Sequence, residues 1–181
     1  MAGSSSEKLD LIVQKIRPFP DFPTAGVVFR DICPLLKDPK ALAAVTDLFE
    51  EHVRQKHPEV RLIVGLDARG FLFGPLLAQR LGIGFALVRK KGKLPGPTVS
   101  VAYSLEYGAA EAEIQEDAVE PGQKVLLIDD LLATGGTLYA ACELMKKQQA
   151  EVLGCLVVIE LKDLKGAERL KSYPVFSLVQ Y

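Results

Sequence analysis

The residues of this chain best suited to chemistry lie between Val125 and Thr137, in the order VLLIDDLLATGGT. Two adjacent carboxylates, Asp129 and Asp130, precede Ala133-Thr134-Gly135-Gly136-Thr137. Backbone N–H groups of a glycine turn, two hydroxyls and the positive end of a helix dipole together suit a phosphate. The aspartates repel phosphate; they suit hydroxyl groups, which need acceptors, or a magnesium ion. A phosphate receptor flanked by hydroxyl acceptors describes a sugar phosphate. The glycine pair alone is also consistent with a plain loop, and Asp-Asp with a helix cap. The inference therefore rests on the whole run.

Two further clusters carry charge. Gly65-Leu66-Asp67-Ala68-Arg69-Gly70 sets an arginine before a helix, where a fork of donors suits a pyrophosphate, or where Asp67 merely caps the helix. Arg89, Lys90, Lys91 and Lys93 end another apolar run; they are either a solvated face or the neutralising charge for that pyrophosphate. His52 and His57 read as surface residues without a metal or catalytic role. Gly82-x-Gly84 lacks the third glycine of a dinucleotide fingerprint, and no P-loop is present.

These clusters need strands and helices to position them. Val125 to Ile128 reads as a buried strand ending at the carboxylates, and Leu138, Ala141, Cys142 and Met145 recur at helical spacing after the glycines. Val60 to Leu66 and Ile83 to Val88 are two more buried strands, with a helix from Phe71 to Gly82 between them. Ser4 and Glu7 have capping-box spacing before a first helix. The segment from Pro18 to Pro23 is expected to be stiff and unable to form a ladder. Val27 to Asp31 is a short extended piece, and Asp38-Pro39 starts a second helix. Leu94-Pro95-Gly96-Pro97 is an irregular loop. Val99 to Leu105 and Ala110 to Ile114 alternate as a β-hairpin. Strands at Val152 to Leu161 and Val175 to Val179 close the chain, with a short helical piece around Ala167 to Leu170. Alternating strands and helices imply a parallel sheet with right-handed crossovers, whose carboxyl ends bring the loops at Asp67, Arg89 and Asp129 together.

The 181 residues suffice for one domain with a substantial core. A net charge of −1 argues against nucleic-acid or anionic-membrane binding. Cys33, Cys142 and Cys155 lack metal-ligand spacing and read as small core residues in a reducing compartment. No apolar run is long enough to span a bilayer and no signal-peptide core precedes the first helix, so the cytoplasm is the expected location.

The Val125-to-Thr137 run resembles, nearly residue for residue, the phosphoribosyl-pyrophosphate signature of the type I phosphoribosyltransferases. Phe22-Pro23, Val27 to Asp31, Gly70-Phe71-Leu72-Phe73-Gly74, Lys93-Leu94-Pro95-Gly96 and Ser104-Leu105-Glu106-Tyr107-Gly108 extend the likeness, within its adenine-using branch, from Ile16 to Val179. The resemblance implies an open, mostly parallel α/β sheet flanked by helices, with a small N-terminal hood (residues 1–36) and a mobile loop and β-hairpin lid (92–116), in one domain. It implies transfer of ribose-5-phosphate from phosphoribosyl pyrophosphate to adenine, giving AMP and pyrophosphate, with Mg²⁺ held mainly by the pyrophosphate, and a homodimer. Ala133, Thr134, Gly135, Gly136 and Thr137 would hold the ribose-5-phosphate, and Asp129 and Asp130 the ribose hydroxyls. Arg69, Arg89, Lys90 and Lys93 would serve the pyrophosphate. Val28 and Phe29 would sandwich adenine and the Arg30 backbone would read its edge, with Leu131, Ala133 and Leu161 opposite. Glu106, beside Tyr107 on the lid, would contact N7 and assist proton transfer. The family's pyrophosphate loop commonly contains a cis peptide; Ala68 stands where some members carry serine. A different purine, or a non-catalytic sensor of phosphoribosyl pyrophosphate on the same fold, remains an alternative to the adenine enzyme.

Overall fold

The computed structural model describes residues 3–105 and 108–181, so the expectations for Glu106 and Tyr107 lie outside the described residues. The chain divides into two compact units, Met1–Glu51 and His52–Tyr181.

In the first unit Ser4 is the N-cap: its hydroxyl accepts from the Glu7 N–H at 3.2 Å and opens α1 (Ser5–Gln14). The proline-rich segment departs from expectation. Arg17–Pro20 is a strand, β1, paired antiparallel with β2 (Val28–Asp31). Pro18 and Pro20 take alternate positions opposite Arg30 and Val28, leaving Arg17 and Phe19 to pair with Asp31 and Phe29. A two-stranded ribbon is all edge, where proline is tolerated, and Arg17 adds an ion pair to Asp31 at 2.6 Å. A short helix, α2 (Cys33–Lys37), follows; Cys33 is exposed rather than in the core. Asp38 caps α3 (Pro39–Lys56), accepting from the Lys40 N–H at 2.9 Å.

The second unit is built on a seven-stranded sheet. Its strands are β3 (Leu62–Leu66), β4 (Gly84–Lys90), β5 (Thr98–Leu105), β6 (Gly108–Gln115), β7 (Lys124–Leu132), β8 (Glu151–Glu160) and β9 (Val175–Gln180). They stand in the order β5-β6-β4-β3-β7-β8-β9. The five from β4 to β9 are parallel, and the β5–β6 hairpin joins antiparallel at one edge. Helix α4 (Gly70–Leu81) links β3 to β4, ending at left-handed Gly82; α5 (Gly136–Lys147) links β7 to β8.

Both faces of the sheet are covered. Val125 and Leu127 pack with Leu62, Val64 and Leu66 against Leu138, Ala141, Cys142 and Met145 of α5. The alternate residues Ile63, Leu126 and Ile128 are equally buried on the opposite face. From the adjacent strands β3 and β7 the crossovers depart in opposite directions, so the carboxyl ends of these two strands flank a topological switch point, where such sheets bind ligands.

The central strand is longer than its apolar run from Val125 to Ile128. β7 continues through both aspartates to Leu132, because its partner β8 continues to Glu160. Asp129 and Asp130 are therefore strand residues rather than turn residues. The histidines also differ from expectation. His52 is half-buried with its ring stacked 3.7 Å from Phe176, and burial pushes its pKa down.

Candidate active site at the switch point

A cavity of about 340 Å³ opens between the ends of β3 and β7. Its wall consists of Asp67, Ala68 and Arg69 on one side and the continuous run from Asp129 to Leu138 on the other. The polypeptide reaches this geometry through close approaches that only glycine allows. A β-carbon on Gly70 would lie 2.5 Å from the Ile128 carbonyl oxygen, so a bare residue lets α4 start against β7. Gly135, at φ +87°, caps α5 in the left-handed region, and a β-carbon there would lie 2.8 Å from the Gly166 carbonyl oxygen. The turn Lys165 to Arg169, including α6 (Gly166–Arg169), thus buttresses the glycine turn from behind. This contact is long-range and leaves no periodic trace in the sequence. Arg169 lies over the ring of Tyr139, 5.3 Å from its centroid.

Two ion pairs join the loops that the sequence reading expected to converge. Arg69 Nε donates to Asp130 Oδ2 at 2.5 Å, tying the loop after β3 to β7. Arg89 Nε donates to Asp67 Oδ2 at 3.0 Å, tying the end of β4 to the same loop. The Asp67–Ala68 peptide is cis.

The paired carboxylates differ. Asp130 is buried and holds Arg69. Asp129 Oδ1 accepts from the Asp130 N–H at 2.8 Å, and burial, then the neighbouring Asp130 charge, raises its pKa well above the usual value. Thr134 and Thr137 are exposed on the turn beside the N–H groups that open α5. The arrangement can hold an anion at the turn and hydroxyl groups at the carboxylates.

Other expected residues lie elsewhere. Leu131 and Ala133 line the cavity but Leu161 does not; its N–H donates to the Leu132 carbonyl at 3.0 Å, one residue behind the wall. Lys90 and Lys93 are exposed beyond Arg89, while Lys91 pairs with Glu111 at 2.6 Å. In the first unit Val28 is exposed, and the half-buried Phe29 meets Phe22 edge to face at 5.2 Å. Among the described residues no group of three or more His, Cys, Asp or Glu side chains could hold a metal, and no helix is long and apolar enough to cross a membrane.

Residues 34–180 match the model of the phosphoribosyl transferase domain. The chain is 60% identical over 178 residues to the adenine phosphoribosyltransferase of Cricetulus griseus and 59% identical to that of Homo sapiens, covering 98% of this chain and 99% of each relative. Among solved structures it is similar to adenine phosphoribosyltransferase from Thermoanaerobacter pseudethanolicus, with a TM-score of 0.91, 44% identity, and coverage of 96% and 99% of the two chains. It is also similar to that from Saccharomyces cerevisiae complexed with an imino-altritol bisphosphate and adenine, with a TM-score of 0.93, 40% identity and the same coverage.

Proposed function

Since the chain belongs to the phosphoribosyltransferase family, we infer that the switch-point cavity transfers ribose-5-phosphate from phosphoribosyl pyrophosphate to N9 of adenine, yielding AMP and pyrophosphate in purine salvage. The observation that carries the reading is the cavity wall itself, in which the glycine turn that opens a helix and two carboxylates line one cavity. Reaction at C1 of the ribose passes through a positively charged state, so the site must stabilise a leaving pyrophosphate, surround the ribose with negative charge and exclude water.

The N–H groups and hydroxyls from Ala133 to Thr137 hold the 5′-phosphate. Asp129 and Asp130 accept from the ribose hydroxyls and place negative charge near C1. Arg69 and Arg89, already at the cavity loops, exchange their carboxylate partners for pyrophosphate oxygens, aided by Lys90 and Lys93. Base recognition is assigned to Val28, Phe29 and the Arg30 backbone, with support from the exposure of Val28 and the edge-on bracing of Phe29. Glu106 is assigned proton transfer at N7.

The family generally uses magnesium. Paired carboxylate oxygens at Asp129 and Asp130 fit a hard cation, but they are too few for a cage made by protein alone, so the ion fits as a companion of the pyrophosphate. When bound, it neutralises charge developing on the leaving group. Leu72 and Leu76, one turn apart on α4 and 43% and 37% exposed, support a homodimer through this face.

The test is AMP formation by the purified protein from phosphoribosyl pyrophosphate and magnesium, with adenine, hypoxanthine and guanine in parallel. Adenine alone should be consumed. Binding of phosphoribosyl pyrophosphate without any turnover would instead mark a sensor.

A further inference from the structure

We propose that Glu113 is a positioning residue that holds the loop after β4 in shape and so presents the basic end of β4 to the pyrophosphate. Strand β6 directs Ala112 and Ile114 into the core, so Glu111, Glu113 and Gln115 face the other way. A glutamate at that position belongs in water, yet Glu113 is only 3% exposed. The cover is the loop that leaves β4. All three alternate side chains reach it: Glu111 pairs with Lys91 at 2.6 Å, Glu113 Oε2 accepts from the Leu94 N–H at 2.8 Å, and Gln115 Nε2 donates to the Pro95 carbonyl at 3.1 Å. Glu113 Oε1 also accepts from the Thr98 hydroxyl at 3.4 Å, so one carboxylate spans the loop to the start of β5.

The loop needs such a partner. Pro95 and Pro97 have no N–H, Gly92 and Gly96 have positive φ, and no strand runs through residues 91–97. Burial disfavours a charged Glu113, but the N–H groups of Leu94, Gly92 and Lys93 outweigh it and hold the carboxyl below its usual pKa. Register places Glu113 directly opposite Arg89, the residue that reaches Asp67 at the cavity. The same carboxylate thus organises the strand end carrying Arg89 and Lys90 and the loop carrying Lys93.

The inference rests on the activity assigned above, and its test separates the two. Glu113→Ala, Glu113→Gln and Thr98→Val are compared with wild type for tryptic cleavage after Lys91 and Lys93, for Tm and for steady-state kinetics. Glu113→Ala should be cut at least about tenfold faster, and its KM for phosphoribosyl pyrophosphate should rise about tenfold, as expected for losing charge-assisted hydrogen bonds. KM for adenine and kcat should stay within about twofold, because the loop acts on one substrate only. Glu113→Gln keeps an acceptor for the Leu94 N–H and should fall between; Thr98→Val should be milder still. Wild-type cleavage in Glu113→Ala, or parallel rises in both KM values with a lowered Tm, overturns the proposal in favour of plain structural support. Absence of AMP formation by wild type overturns the activity assignment, while the cleavage comparison still decides whether Glu113 anchors the loop.

Discussion

Replacing Gly135 by alanine tests how the phosphate turn is built. At φ +87° the new residue enters the left-handed region, which costs a side chain about 1–2 kcal/mol. Its β-carbon would lie 2.8 Å from the Gly166 carbonyl oxygen and 3.3 Å from the Gly166 α-carbon. Both are backbone atoms and cannot rotate away, so the turn or its buttress must move, for a total of roughly 2–3 kcal/mol. For a chain of this length that lowers Tm by roughly 4–12 °C. If the turn moves, N–H groups aimed at the phosphate lose alignment. One charge-assisted hydrogen bond is worth about 1.5–3 kcal/mol, so Kd for AMP or ribose-5-phosphate should rise about 10- to 150-fold. Titration calorimetry and thermal unfolding read the two effects. Gly136→Ala is the control for stability: its β-carbon would meet only the end of the exposed Arg169 side chain at 3.4 Å, and alanine is the better helix former, so Tm should hold or rise. Wild-type Tm and wild-type AMP affinity in Gly135→Ala would refute the reasoning.

The remaining predictions concern charge and base. Asp129 has a raised pKa, so between its usual value of 3.8 and its folded value the native state binds more protons than the unfolded chain, and its contribution to stability is lost as pH rises. Asp129→Asn should therefore show a Tm advantage over wild type that grows from pH 4 towards neutrality; a constant difference would contradict the linkage. Asp130→Asn keeps an acceptor for Arg69 but removes charge near C1, and kcat should fall at least about tenfold with a smaller change in substrate binding. Glu106→Leu should slow kcat by about 10²-fold while leaving phosphoribosyl pyrophosphate binding intact, measured without adenine. Hypoxanthine reverses the donor and acceptor of adenine's recognition edge, so turnover comparable to adenine would remove the assignment of base choice to the Arg30 backbone.

Much of this architecture is legible in the chain because it is local. The four-residue apolar run before Asp129, the proline after Asp38 and the glycine after Leu81 each declare an element through their own neighbours. The convergence of Asp67, Arg89 and Asp129 follows from strand direction alone. What escapes is set by partners distant in sequence. β7 outlasts its apolar run because β8 accompanies it, and prolines 18 and 20 enter a ladder because β2 offers Arg17 and Phe19 suitable partners. Glu113 looks like a solvated strand residue until the loop after β4 folds over it. Gly166 looks like a turn glycine, yet it lets α6 press against the phosphate turn.

The ion pairs explain how so much charge is gathered at one sheet edge. Arg69 rests on Asp130 and Arg89 on Asp67, so each of the two arginines assigned to pyrophosphate has a carboxylate that orders its side chain and offsets its charge. The Arg69 side chain remains 54% exposed, so it can pass from carboxylate to pyrophosphate without being unburied. Under the proposed assignment such an exchange would free Asp130 as Arg69 leaves it, leaving negative charge beside the ribose. Asp129 accepts from the Asp130 N–H, and Asp130 is the partner that the Arg69 ion pair engages. Burial, then the Asp130 charge beside it, raises the pKa of Asp129, and on the proposed reading ribose hydroxyls are donors that would stabilise its charged form. On the proposed reading the two strand residues would divide the work: Asp130 would hold Arg69 until pyrophosphate takes it, and Asp129 would accept from the sugar hydroxyls.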